Sequence, residues 1–153
     1  MKRKIFFISV IFFLIDLLTK VFVKSFNHYP ITIIDGFFDI DMVMNDGAAF
    51  SSFRGYQFIL IIIAIFVLFY IVKSIIPDVK TRLGLVSVSL LIGGIVGNLF
   101  DRIFYGKVVD FLSFNIFGYM FPVFNFADVF ICCGIVLYLI DYLRGEKHGI
   151  SSK

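Results

Sequence analysis

Between Gly55 and Val72 the chain carries no charged residue, and from Leu83 a second apolar run stays uncharged until Asp101. A helix needs about 20 predominantly apolar residues to cross the hydrocarbon core of a bilayer, so each run predicts a transmembrane helix. Two further runs have the same character but carry charges. Ile5 to Val23 contains Asp16 and Lys20, and Phe121 to Leu143 contains Asp128 and, near its end, Asp141. Composition agrees: 60% of residues are hydrophobic and 16% charged, more apolar surface than a water-soluble domain of 153 residues could hide. The reading is an all-α membrane protein with four transmembrane helices, at about 5–23, 56–73, 84–103 and 121–142, in a single integral membrane domain spanning 1–153.

Charge position sets the orientation. Lys2, Arg3 and Lys4 precede the first helix, Lys73, Lys80 and Arg82 lie between the second and third, and Arg144, Lys147 and Lys153 follow the fourth. Lys and Arg accumulate on the cytoplasmic side of membrane proteins, which predicts that both termini are cytoplasmic. The basic start followed by an apolar run resembles a secretory signal. However, that run continues past Asp16 and Lys20 without a small-x-small cleavage site, and it is read as a retained first helix. No basic surface is left over for a nucleic acid, so the partner that composition demands is membrane lipid.

The two external segments, about 24–55 and 104–120, are richer in signals. Ile31 to Ile34 leads into Asp35-Gly36, a favoured hairpin turn. Phe38, Ile40, Met42 and Met44 then alternate with Asp39, Asp41, Val43 and Asn45, the period of a half-buried strand. A small extracytoplasmic β-sheet is expected there, followed by Asn45-Asp46-Gly47-Ala48-Ala49-Phe50 and a short interfacial stretch reaching Arg54. The second segment, Tyr105 to Met120, is rich in aromatic residues suited to a membrane–water boundary.

Ionisable groups inside a bilayer are costly and mark function or a structural pairing. In the predicted topology they gather at one depth, near the outer face. Asp16 and Lys20 share a face of helix one, Asn98, Asp101 and Arg102 end helix three, and Asn125 and Asp128 lie near the outer end of helix four. With helix four starting at about 121, Asp128 falls on the order of 8 Å below its end. The inner halves of the helices are apolar, which disfavours an ion-coupled carrier, since a transport path needs polar groups at more than one depth. A non-catalytic subunit whose polar layer holds a partner helix stays open on physical grounds. Asp16 next to Lys20, and Asp101 next to Arg102, read as structural ion pairs. Asp110 and Asp128 have no basic residue within a helical turn and sit in apolar surroundings. If close together, such a pair would share one proton, as desolvation and like charge raise one pKa, and this is the requirement of an aspartic protease. The alternative is that each only caps or hydrogen-bonds a helix end.

His28 and His148 are the only histidines, predicted on opposite sides of the membrane, so no metal or other cofactor and no Ser-His or Cys-His arrangement is expected. Cys132 and Cys133 are expected as buried packing residues of helix four, and Gly93 and Gly97 as a small-residue face allowing close helix approach.

Five blocks, Ile15-Asp16-Leu17-Leu18-Thr19-Lys20, Asn45-Asp46-Gly47-Ala48-Ala49-Phe50-Ser51, Gly93 through Arg102, Val108-Val109-Asp110-Phe111 and Phe124-Asn125-Phe126-Ala127-Asp128, together resemble the signatures of lipoprotein signal peptidase (signal peptidase II). The resemblance implies that Asp110 and Asp128 are the catalytic aspartates. It implies that Asn45, Asn98, Arg102 and Asn125 bind substrate, with Asp16 and Lys20 part of the same substrate-binding site. It further implies a short interfacial helix over the site and diacylglyceryl-modified prolipoproteins as substrates, cut just before the lipidated cysteine. The protein would then lie in the bacterial cytoplasmic membrane, with its active site near the outer face.

Overall fold

A computed structural model describes residues 1–47 and 55–150. The expected interfacial helix, and the Ala48 to Arg54 part of its loop, lie outside the described residues.

Among the described residues, four helices are long and apolar enough to cross a membrane, the second when counted through to Asp78. They are α1 (Lys2–Lys24), α2 (Gln57–Tyr70), α3 (Arg82–Tyr105) and α4 (Phe126–Ile150). α2 runs on through a π-helical turn, Ile71–Ile75, into a 3-10 turn, Ile76–Asp78, where Pro77 lacks the N–H that an α-helix would use. α3 is the central helix and the most buried of the four. Its first turn is capped by Thr81, whose Oγ1 accepts the Gly84 N–H at 2.8 Å and donates to Asp141 Oδ1 of α4 at 2.7 Å. At its other end Gly106 takes a left-handed conformation, φ 68°, and its N–H closes on Arg102 O.

Small residues set how closely α3 meets its neighbours. A Cβ on Gly93 would stand 2.6 Å from Phe12 Cβ of α1, and one on Gly94 would stand 2.8 Å from Ile131 Cγ1 of α4. A Cβ on Gly97 would overlap the Asp16 carboxylate. The expected face of Gly93 and Gly97 meets α1, and Gly94 adds a similarly close approach toward α4. The buried positions of α1, among them Ile5, Ser9, Asp16 and Lys20, recur at the spacing of one helical face.

The sheet has four antiparallel strands in the order β1 (Ile31–Ile34), β2 (Phe38–Asn45), β3 (Val108–Ile116) and β4 (Tyr119–Met120). The β1–β2 hairpin is where the sequence places it. β3 is an addition to the sequence reading, and it carries Asp110. Its register with β2 sets Val43 opposite Asp110 and Asn45 opposite Val108, past an irregularity between Ile40 and Val43. Beyond Asp110, the Phe111 and Leu112 N–H groups both donate to Phe124 O, at 2.9 and 2.8 Å. This tie holds β3 against the chain entering α4. It also explains why α4 begins at Phe126 and not near 121: Phe124 is bonded to Leu112, and Pro122 precedes it. Asp128 consequently lies in the first turn of α4, closer to its end than the roughly 8 Å expected from a helix starting at about 121.

Cys132 and Cys133 are exposed, contrary to the expectation of buried packing residues. α4 turns Ala127 and Gly134 into the bundle. Positions 132 and 133 lie on another part of the helix surface, where the bilayer or the cavity described next is the neighbour.

Candidate active site

Asp110 reaches the site on β3, beside β2, and Asp128 on the first turn of α4. Asn125 joins them. Its Nδ2 donates to Asp110 Oδ1 at 2.7 Å, and its backbone N–H donates to Asp128 Oδ2 at 3.2 Å. Its own Oδ1 accepts the Asp128 N–H at 3.0 Å. Asn125 and Asp128 thus form a reciprocal capping box, with each side chain satisfying the other's backbone donor at the α4 N-terminus.

Each aspartate has a second amide donor. Asn45 Nδ2 donates to Asp110 Oδ2 at 2.8 Å, and Asn98 Nδ2 to Asp128 Oδ1 at 2.7 Å. Asn45 also accepts the Gly47 N–H, fixing the turn that leaves β2. Burial pushes the Asp110 carboxyl up to about 6; the nearby Asp128 carboxylate adds to this, while hydrogen bonds from Asn45 and Asn125 and the Lys20 charge pull the other way. Both carboxyl groups, with Asn45, Asn98 and Arg102, line one cavity of about 520 Å³. Its remaining wall is apolar, running from Phe121 to Phe124 and down α4 through Val129 and Ile131 to the two cysteines. Arg102 spans the rim. Nη1 donates to Asn98 O at 3.2 Å and Nη2 to Gly47 O at 3.0 Å, and the buried Nε has no partner among the described residues.

Behind the cavity lies a second layer. Lys20 Nζ stands 2.7 Å from Asp16 Oδ2 and 3.0 Å from Asp101 Oδ2, and donates to Asn98 Oδ1 at 3.1 Å. The structure therefore brings together all eight sequence-chosen site residues, but not in one role. Asp16 and Lys20 are each 1% exposed and are absent from the cavity lining, so they stand behind the cavity and not in it. Asn125, fully buried, is absent from the cavity lining and reaches it through the two aspartates and Asn98, whose Oδ1 accepts its Nδ2 at 3.1 Å. The expected ion pairing of Asp16 with Lys20 is present, whereas Asp101 pairs with Lys20 and not with Arg102. Neighbours on a helix point about 100° apart, so Asp101 faces α1 while Arg102 faces the cavity. Nothing in the local sequence announces the pairing of Asp101 with a lysine one helix away.

An apolar cavity at the end of a helix bundle, with two acid side chains bridged by one amide and one of them raised by burial, has the chemistry of a membrane-embedded aspartic peptidase. The family model for signal peptidase (SPase) II matches residues 8–144. A lipoprotein signal peptidase of Neisseria meningitidis serogroup C is 40% identical over 123 residues, covering 78% of this chain and 75% of its own. That of Syntrophus aciditrophicus is 37% identical over 145 residues, covering 88% of each. A bacterial membrane enzyme solved by the in meso method at 2.3 Å superposes with a TM-score of 0.85 at 33% identity, covering 94% of this chain and 90% of that one. The chain belongs to the signal peptidase II family: it is a multi-pass bacterial membrane aspartic peptidase that removes signal peptides from prolipoproteins.

Proposed function

We propose that Asp110 and Asp128 are the catalytic pair and that the substrate is a diacylglyceryl-modified prolipoprotein, cut just before its lipidated cysteine. The observation that carries this reading is the bridging of both carboxyl groups by Asn125 on the wall of one apolar cavity. One carboxylate takes a proton from a water as its oxygen attacks the scissile carbonyl carbon, while the other, protonated, hydrogen-bonds the carbonyl oxygen. Collapse of the tetrahedral intermediate breaks the C–N bond, and the leaving amine takes a proton from the pair. Arg102 Nε–H, held at the rim without a partner among the described residues, is suited to donate to a substrate carbonyl, and Asn45 and Asn98 orient the two carboxyl groups from either side. The apolar wall along α4 suits the lipid and the hydrophobic stretch of the signal peptide.

The whole chain acts in this reading as one membrane domain, with both termini cytoplasmic and the cavity near the outer face. Supporting this is the placement of Lys2, Arg3, Lys4, Lys80 and Arg82 at the helix ends remote from the sheet. The deciding experiment follows cleavage of a lipidated precursor by Asp110→Asn, Asp128→Asn and the double variant. Residues acting as one unit are strongly non-additive, so each single variant should lose almost all turnover and the double should lose little more. Substantial turnover in either single variant, or losses that multiply, would overturn the pair.

A further inference from the structure

The layer behind the cavity is wired to the aspartates through the backbone. Asp101 Oδ2 accepts the Val109 N–H at 3.1 Å, and Asp16 Oδ1 accepts the Ala127 N–H at 2.9 Å. Val109 is the residue before Asp110, and Ala127 is the residue before Asp128. Two carboxylates on two different helices thus hold the peptide N–H immediately ahead of each aspartate. One ammonium holds both of those carboxylates, since Lys20 Nζ is 2.7 Å from Asp16 and 3.0 Å from Asp101. Its third contact, to Asn98 Oδ1 at 3.1 Å, fixes the amide so that Nδ2 faces Asp128.

We propose that Lys20, Asp16 and Asp101 form a positioning clamp that sets the separation of Asp110 and Asp128 through the peptide groups preceding them. The inference rests on the reading of those aspartates as the catalytic pair. All three clamp residues are 1% exposed and none lines the cavity, so they act through other groups and touch no substrate. Two features favour a positioning role over mere packing. A buried ion cluster contributes little stability over apolar residues of similar volume, so stability alone does not call for it. Moreover, both carboxylates spend their second interaction on the peptide next to an aspartate, where the two come from separate elements, β3 and α4. A shift of about 1 Å between reacting groups costs on the order of a hundredfold in rate.

Asp101→Asn keeps an oxygen acceptor for the Val109 N–H, whereas Asp101→Leu keeps the branched heavy-atom shape and loses the acceptor. With the intact protein in lipid and rates referred to folded enzyme, the Leu variant should lose about a hundredfold in kcat with KM within about threefold. The Asn variant should restore at least a tenth of the wild-type kcat. A second arm uses Lys20→Met combined with Asp16→Asn, which keeps an acceptor for each N–H and the net charge of the cluster. With an acceptor kept for each N–H but the ammonium that holds the two carboxyl positions together gone, kcat should fall at least about tenfold while KM stays within about threefold. Wild-type kcat per folded molecule in Asp101→Leu, or in the double variant, would overturn the clamp. Should Asp101→Leu not accumulate, the double variant decides alone. Asp110→Asn and Asp128→Asn run alongside: if they retain turnover the catalytic reading itself has failed, and if they are dead while the clamp variants are normal only the clamp has.

Discussion

At the scale of single residues, the same contacts that arrange the aspartates also store a cost. Asp110 is 3% exposed, and burial raises its carboxyl to about 6 from 3.8. A carboxyl raised on folding favours the folded state most when protonated, below the unfolded value, and that advantage is lost as pH rises through about 6. Above that, the ionised group costs up to about 3 kcal/mol, at about 1.4 kcal/mol per pKa unit. Asp110→Asn escapes this cost but loses about 1 kcal/mol where its amide meets a donor from Asn45 or Asn125. Thermal unfolding in detergent should therefore show the variant more stable than wild type by about 1–2 kcal/mol at pH 8, with no gain at pH 4. A gain that does not depend on pH would contradict the burial account. The same carboxyl predicts that cleavage falls as pH drops below about 6, approaching tenfold per unit, which a kcat/KM profile reads directly. Arg102 offers a separate test. Lysine keeps the charge, but its single compact ammonium replaces the planar fork whose separate nitrogens reach Asn98 O and Gly47 O and leave Nε–H over. Arg102→Lys should lower kcat by about ten- to a hundredfold with membrane insertion unchanged, and a wild-type rate would show that the fork is not used.

Among the elements, α3 depends on glycine because its neighbours approach too closely for a side chain. The Cβ of Gly94→Ala would press on the Ala127 carbonyl and Ile131, at the turn of α4 that carries Asp128. Overpacking there should cost about 1–3 kcal/mol and depress turnover beyond the loss of folded enzyme, measurable as kcat against melting temperature. Equal melting and equal kcat would mean that the helices separate freely. The helices were legible in the sequence because long uncharged runs have one meaning in a bilayer, and the β1–β2 hairpin because Asp35-Gly36 sits before a period-two pattern. β3 was not. Val108 to Ser113 are all buried, so the strand lacks the alternation that marks a half-exposed one. The start of α4 was misplaced because Phe121 to Phe124 are as apolar as the helix, and only the bonds from β3 to Phe124 decide where it begins. Of the site, the sequence located the polar layer and its family pattern, but not how its residues are layered. Burial separates Lys20 and Asp16 from the cavity, and the Lys20–Asp101 pairing joins α1 to α3, a relation that spacing along one chain cannot express.

Over the whole molecule, orientation decides where the cavity can meet its substrate. The four spans run antiparallel in sequence, so one measurement of sidedness fixes all of them. The sheet, the aspartates and Arg102 share one end of the bundle, and Thr81, Asp141 and the start of α1 share the other. Lys2, Arg3 and Lys4 begin α1, and Lys80 and Arg82 flank the start of α3, all at the end remote from the sheet. At the sheet end Lys24 lies over the Tyr105 ring at 3.7 Å, a pairing of cation and aromatic suited to an interfacial boundary. Because Lys and Arg count toward orientation when close to the ends of the spans, the first group dominates, and the cavity end is expected to face out of the cytoplasm. A reporter active only outside the cytoplasm should then be silent when fused after Lys80 or Lys153 and active when inserted between Asp35 and Gly36. Lys2→Glu, Arg3→Glu and Lys4→Glu together should weaken that bias, with Lys80 and Arg82 resisting full inversion, so that a mixed population appears. Activity of the Lys153 fusion in the unaltered protein would place the aspartates on the cytoplasmic side and would require the precursor to be cut there.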